Sequence, residues 1–286
     1  MRGKIDLHLH TLKSDGRLAP TELVRLAHAR GVGWMALTDH DTTAGVDEAT
    51  AEGRRLGVEV IPGVELGTDS TSGDVHMLGL FLDYGDEAFQ RAMARFREGR
   101  IERVHTIVRN LASVGVEITA DRVFEIAGEA SVGRPHVAQA LLEKGYVSAM
   151  PEAFDKYLAH GGPGDVPREK LSTAQAIAMI HAVGGLAVLA HPFESEKDIF
   201  PLVPGMVAEG LDGIETYYQG YGPDRIRFLL ELCKQHGLVP TGGSDFHGFP
   251  LAGHEAVVNE PGSVDVPQQV RTDLEARVAA RRAASR

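Results

Sequence analysis

Apolar and polar residues alternate in short runs at the start of the chain, give way to helical spacing, and then alternate again. The run KIDLHLH, residues 4–10, has apolar residues at every second position and reads as a strand. PTELVRLAHARG follows, opening with Pro20, spacing Leu23, Leu26 and Ala27 as a helix does, and stopping at Gly31. GWMALTDH reads as a second strand, TAGVDEATAEGRRLG as a second helix, VEVIPGVEL as a third strand and DVHMLGLFL as a fourth. That order predicts parallel β/α units whose turns lie at the strand C-terminal ends.

The pattern changes after residue 86. A long helical stretch from Glu87 to Gly115, more helix-like sequence to about Tyr157 and the loop HGGPGDVP predict a helical insertion spanning 87–170. Strand–helix alternation then resumes with helix TAQAIAMIHAVG, strand GLAVLAHP, a further helix, strand DGIETYY, helix DRIRFLLELCKQHG and strand LVPTGGSDFH. Residues 1–86 and 171–286 are therefore expected to form one α/β body, with the insertion contributing to the substrate site.

Composition narrows the function. With 43% apolar and 24% charged residues among 286, a substantial core is expected. No run of 18 apolar residues suggests a membrane span, and the N-terminus lacks the apolar stretch of a secretory signal, so a cytoplasmic protein is expected. A net charge of −11 argues against long duplex nucleic acid as a partner, and points to local charge as the means of attracting an anion. The single cysteine, Cys233, forms no internal disulfide and reads as a buried small hydrophobe. The Arg-rich end, ARVAARRAASR, reads as a solvated helix or frayed tail.

The chemistry lies at the strand ends. His8 and His10 point to one face of the first strand, so both can reach one ion. Alone this pair is weak, because 13 His in 286 residues yield roughly 0.6 such pairs by chance. Recurrence strengthens it. Asp15 follows in SDG, His40 lies in TDHD, Glu65 in PGVE, His191 in AHP, and Asp245 and His247 in GSDFH. In a β/α barrel those ends converge on one mouth. His76 is the exception: it begins its strand, and reaching the others requires that strand to turn or reverse. Nine such side chains exceed the needs of one ion and match two or three. Imidazole mixed with carboxylate suits Mn, Fe or Zn. A carboxylate shared between ions, best placed at Glu65, would let cations lie close together.

HLHT, TDHD, PGVE, a lone His, AHP and GSDFH occur in this order over about residues 4–250, and the series resembles that of PHP (polymerase and histidinol phosphatase) domains. The resemblance implies a distorted (β/α)7 barrel and a trinuclear site, with Mn2+ as the first expectation and Fe or Zn as alternatives. It implies that His8, His10, Glu65 and Asp245 hold one ion, Glu65, His76 and His191 a second, and Asp15, His40 and His247 a third. Glu65, Asp245 and His191 are expected nearest the chemistry. The insertion and its GRPHVA segment further resemble the branch of 3′,5′-nucleotide bisphosphatases and 5′→3′ exoribonucleases. That implies Arg134 and His136 as phosphate binders, and a small nucleotide or the 5′ end of a short RNA as substrate. An Arg-Pro pair is also an ordinary helix start. The competing expectations are a small-metabolite phosphatase such as histidinol phosphatase, a metal-bearing partner module without turnover, and an amide hydrolase.

Other candidates carry less. His28, His105, His181 and His236 fall within predicted helices and are expected to be structural. His160 belongs either to a lid or to a plain linker. Tyr217 and Tyr218 are expected to pack in the core or at the rim rather than stack on a base. Asp39 and Asp41 are expected to support the loop around His40 rather than bind an ion.

Overall fold

The computed structural model describes residues 3–70, 73–128, 130–159, 161–166, 171–195, 197–248 and 259–284. His160 lies outside them. The elements in chain order are β1 (Lys4–Asp6), α1 (Pro20–Ala29), β2 (Val32–Leu37), α2 (Val46–Leu56), β3 (Glu59–Ser70), β4 (Gly73–Leu80) and α3 (Glu87–Ser113). Then come α4 (Ala120–Ala127), α5 (Arg134–Glu143), α6 (Met150–Ala153), β5 (Leu171–Ser172), α7 (Thr173–Ala182), β6 (Leu186–Leu189) and α8 (Val203–Glu209). The chain ends with β7 (Gly213–Tyr218), α9 (Pro223–His236), β8 (Val239–Gly243) and α10 (Gln269–Ala284).

Seven strands run side by side in the order β1-β2-β3-β4-β6-β7-β8, and the short β5 adds to β3 outside that path. The sheet closes because residues just past β1 bond to β8 and its extension. Leu7 N donates to Gly242 O at 3.1 Å and His10 N to Phe246 O at 3.0 Å. The result is the distorted (β/α)7 barrel. Strict parallel alternation does not hold, however: β4 pairs antiparallel with both β3 and β6. The reason is local. β3 and β4 are separated by only two residues, too few for the crossover that a parallel pair requires. The reversal is what His76 needed, because the start of β4 now lies at the end of β3, with His76 opposite Gly67.

The barrel interior is apolar. Ile5, Leu7, Trp34, Ala36, Ile61, Leu78, Leu80, Leu186 and Val188 form one cluster, which Val270, Leu274 and Val278 of α10 complete. The Arg-rich end, as far as Ala284, is thus a helix that is solvated on most faces and buries Val278. The helical segment has a separate cluster running from Val104 to Val166, whereas Phe89 and Met93 of α3 pack with the barrel's outer layer. Two contacts lay the segment over the mouth: Ser131 N donates to Lys13 O at 2.9 Å, and Arg100 Nε to Asp41 Oδ2 at 2.6 Å.

Asp212, 0% exposed, ties the far end together. It accepts from Ala187 N at 3.0 Å, contacts His181 Nε2 at 2.8 Å and accepts from Arg281 Nη2 at 2.7 Å. Burial alone would raise its pKa, but the His181 and Arg281 contacts outweigh that and hold it below the usual aspartate range. A depressed folded-state pKa contributes stability above the unfolded value and loses it as the pH falls through the folded one. Asp212→Asn is expected to cost about 2–4 kcal/mol at neutral pH. In urea unfolding the gap to the native chain should narrow below about pH 4. A gap that stays constant with pH would assign the loss to packing alone.

Candidate metal centre

The mouth of the barrel gathers all nine expected side chains. Glu65, 1% exposed, stands at their centre. Its Oε2 lies 3.2 Å from His8 Nε2, 3.1 Å from His10 Nε2 and 3.2 Å from His40 Nδ1. Its Oε1 lies 2.7 Å from His76 Nδ1 and 3.1 Å from His191 Nε2. Asp245 Oδ1 is 3.2 Å from both His8 Nε2 and His10 Nε2. On the outer side Asp15 Oδ1 lies 3.3 Å from His247 Nε2 and 3.6 Å from His10 Nδ1, while Oδ2 lies 3.7 Å from His40 Nε2.

These donors fall into three groups, each with ligand atoms within 4.8 Å of one another: His8, His10, Glu65 and Asp245; His40, Glu65 and His76; and His10, Asp15, His40 and His247. His10 and His40 each reach two groups, one more than the sequence expectation assigned them. His191 joins Glu65 on the Oε1 side beside His76.

The residues fit divalent metal ions. His8 Nε2, both ring nitrogens of His10 and His40 Nδ1 are buried and make no aligned hydrogen bond, although carboxylate oxygens stand close by. Two donors each about 2.1 Å from one ion, at tetrahedral to octahedral angles, are themselves roughly 3.0–3.4 Å apart. Most of the distances here lie in that range. Electrostatics agree. Burial alone would push His8, His10 and His191 toward neutrality, but the surrounding carboxylates raise all three, His10 to about 10. Burial likewise opposes ionisation of Asp15, Glu65 and Asp245, yet the imidazoles hold each well below the usual carboxylate range. His40, dominated by burial, falls to about 3 and remains neutral. The centre therefore demands positive charge, which protons supply when cations do not.

A second layer holds these groups in place, and part of it was missed from sequence. Glu215, in β7, contacts His8 Nδ1 at 3.0 and 3.2 Å and accepts from His191 N at 2.8 Å. That second bond secures His191 in a rare conformation for a non-glycine residue, φ 25°. Asp41 and Asp245 also have positive φ, so three of the four such non-glycine residues among the described ones lie at this mouth. Tyr218 is buried as expected, and its hydroxyl also donates to Asp245 Oδ2 at 2.8 Å. Asp39 binds Thr11 N, Thr11 Oγ1 and Ser14 Oγ at 2.6–2.7 Å, and Asp41 receives Arg100, so both support the loop. Asp6 accepts from Ser244 N at 2.9 Å and Gly262 N at 2.7 Å, tying β1 to the loop that carries Asp245.

Beside Asp15 lies a cavity of about 140 Å3, lined by Asp15, Arg17, Pro135, His136 and Gln139 among others. His136 Nδ1 accepts from Gly133 N at 3.0 Å, which places the ring proton on Nε2, and burial holds its pKa down despite the pull of Asp15. Arg134 sits on the same helical turn, but its Nη1 donates to Leu158 O at 3.3 Å, and it does not line this cavity. His28, His105, His181 and His236 lie on outer helices away from the centre.

A closed α/β barrel whose strand ends converge on buried imidazoles and carboxylates is the architecture that the motif series implied. The PHP domain pattern matches residues 6–162, and the chain belongs to that family. A 5′-3′ exoribonuclease of Haemophilus influenzae is 37% identical over 253 residues, 87% of this chain and 92% of that one. A 3′,5′-nucleoside bisphosphate phosphatase of Chromobacterium violaceum is 34% identical over 278 residues, 96% of this chain and 97% of that one. Among solved structures, an amidohydrolase of Chromobacterium violaceum with bound sulfate and no metal superposes with a TM-score of 0.85 at 34% identity, covering 96% of each chain.

Glu215→Gln keeps the side-chain volume but removes the charge behind His8. It is expected to weaken metal affinity about 10–100-fold in a chelator-competition titration. Unaltered affinity would reduce Glu215 to a packing role.

Proposed function

We propose that this chain is a metal-dependent phosphoesterase acting on nucleotides that carry phosphates on both sides of one ribose. It would remove the 3′-phosphate of a nucleoside 3′,5′-bisphosphate, or trim a short 5′-phosphorylated RNA from its 5′ end. The observation that carries this reading is the cavity between Asp15 and His136, which joins the carboxylate–imidazole centre to the helical segment. At about 140 Å3 it is smaller than the about 300–1,000 Å3 usual for a whole small molecule, and suits a phosphate group. The names of the relatives, one a bisphosphate phosphatase and one an exoribonuclease, support the same substrate class.

The ions would be held by His8, His10, Glu65 and Asp245, by Glu65, His76 and His191 with His40 near, and by Asp15, His40 and His247 with His10 near. Bound divalent ions supply Lewis acidity toward the phosphoryl oxygens and lower the pKa of a coordinated water. Manganese is our first choice, with iron or zinc suited to the same donors. The chain's own groups do the positioning. His136, neutral with its proton on Nε2, donates to the non-reacting phosphate. Arg17 on the cavity wall adds positive charge. Arg134, on the same helical turn as His136 with its Nη1 given to Leu158 O, adds a second positive charge near the same phosphate. Fixing one phosphate orients the other toward the centre. Tyr218 keeps its proton, because burial and the facing Asp245 raise its pKa, and so holds Asp245 toward His8 and His10.

With manganese, adenosine 3′,5′-bisphosphate is expected to release phosphate at least tenfold faster, in kcat/KM, than 3′-AMP, AMP or histidinol phosphate. Arg134→Ala or Arg17→Ala should raise KM for the bisphosphate about tenfold and leave 3′-AMP nearly unchanged, since an anchoring charge contributes mainly to binding. Glu65→Gln and chelation should each abolish release. Preference for histidinol phosphate would replace the nucleotide reading with a small-metabolite phosphatase. No turnover of any ester would leave an amide hydrolase or a non-catalytic module.

A further inference from the structure

Past His191 the chain turns through a short 3₁₀ segment, Pro192–Glu194, and a second, open cavity of about 450 Å3 begins there. Its walls include Pro192, Phe193, Phe200 and Phe228, with Lys197 and Asp198 among the polar residues. The aromatic rings form one network: Phe193 and Phe200 centroids are 4.9 Å apart, Phe200 and Phe228 4.8 Å, and Phe193 and Phe228 6.0 Å. The Arg225 guanidinium lies over Phe193 at 4.8 Å and near Tyr221 at 5.6 Å. Phe228 is 42% exposed, the only aromatic side chain so open to water among the described residues.

This wall reaches the metal centre without a break. Tyr221 Oη accepts from Phe193 N at 3.0 Å, and its ring lies 5.0 Å from that of Tyr218. Tyr218 in turn lies 5.7 Å from His191 and bonds Asp245. The phosphate-sized cavity lies at the loop after β1, where the helical segment docks, whereas this one follows β6 and β7. In the barrel order β1 is separated from β6 and β7 by β8 on one side and by β2, β3 and β4 on the other. The two cavities therefore flank the centre.

We propose that the aromatic cavity takes the nucleobase on the 3′ side of the scissile phosphate, which makes a 5′-phosphorylated RNA of at least two nucleotides a fitted substrate. The inference rests on the phosphoesterase reading above. A cavity of about 140 Å3 holds a phosphate but no base, while the larger one falls in the range for a planar heterocycle with its sugar. Every base has a π face, so aromatic rings accept any of the four. The cationic groups Arg225 and Lys197 at this wall suit a following phosphate, and Asp198 is engaged by Phe200 N at 3.0 Å. In the reaction, water adds to phosphorus and the P–O3′ bond breaks. The 3′ oxygen of the anchored nucleotide leaves with a proton, and the phosphate stays on the 5′ oxygen of the next nucleotide.

The test compares the manganese-loaded native chain with Phe228→Ala and Phe228→Trp on 5′-phosphorylated diadenylate and on adenosine 3′,5′-bisphosphate. Phe228→Ala should lower kcat/KM for the dinucleotide roughly tenfold, mainly through KM, and leave the bisphosphate within about twofold. Phe228→Trp should restore the dinucleotide. Equal losses on both substrates, or none on either, would overturn the proposal. Stacking is also read without turnover, by the fluorescence of 2-aminopurine placed as the second base. Quenching that Phe228→Ala abolishes supports the cavity's role even if no ester is hydrolysed, and absence of quenching removes it.

Discussion

Five imidazoles face the two oxygens of one buried carboxylate, Glu65, and much of the barrel mouth is organised around that convergence. Charges placed in so dry an environment cost several kcal/mol each unless compensated. Asp15, Glu65 and Asp245 cannot all be ionised here unless positive charge stands between them. His8, His10 and His191 supply it by taking protons, and divalent ions would replace those protons in the same place. A mouth of this kind forms only if every strand end arrives in register, because a one-residue slip would turn each of these side chains to the other face.

That requirement explains features that otherwise look costly. The antiparallel β4 delivers His76 from the start of a strand rather than its end. Positive φ at Asp41, His191 and Asp245 is strain concentrated where three loops leave the sheet. Glu215 offsets part of it by holding the His191 backbone and the His8 ring with one carboxylate. Asp6 and Asp39 do the same for the loops bearing Asp245 and Asp15. The opposite end of the barrel carries one such residue, Phe81 (φ 62°), whose carbonyl accepts from Arg282 Nη2; α10 closes that end with Val270, Leu274 and Val278, and Asp212 ties it together.

Much of this was legible in the sequence, and the failures have physical causes. The pairing of His8 with His10, two apart at a strand end, follows from the pleat, whereas Asp245, with φ 51°, departs from it and joins a different donor group from His247; recurrence marked the mouth. The direction of β4 was hidden because alternation has the same period in either direction. Glu215 left a faint signal: a lone carboxylate within the otherwise apolar and aromatic DGIETYY, where burial requires a partner. Arg100 left none, being one arginine among several along α3, and only the fold shows that it reaches Asp41. GRPHVA marked His136, which lines the phosphate-sized cavity, and Arg134, whose Nη1 contacts Leu158 O; Arg17, three residues from a helix start, gave no warning of its place in that cavity.

The most direct test of the metal centre is to count bound ions per chain by elemental analysis after manganese loading and gel filtration, for the native protein and for Glu65→Gln. Three donor groups, two of which share Glu65, predict two to three ions in the native chain, and at most one after the substitution. Fewer than two ions in the native chain, or a count that Glu65→Gln leaves unchanged, would contradict a multinuclear site built around that carboxylate.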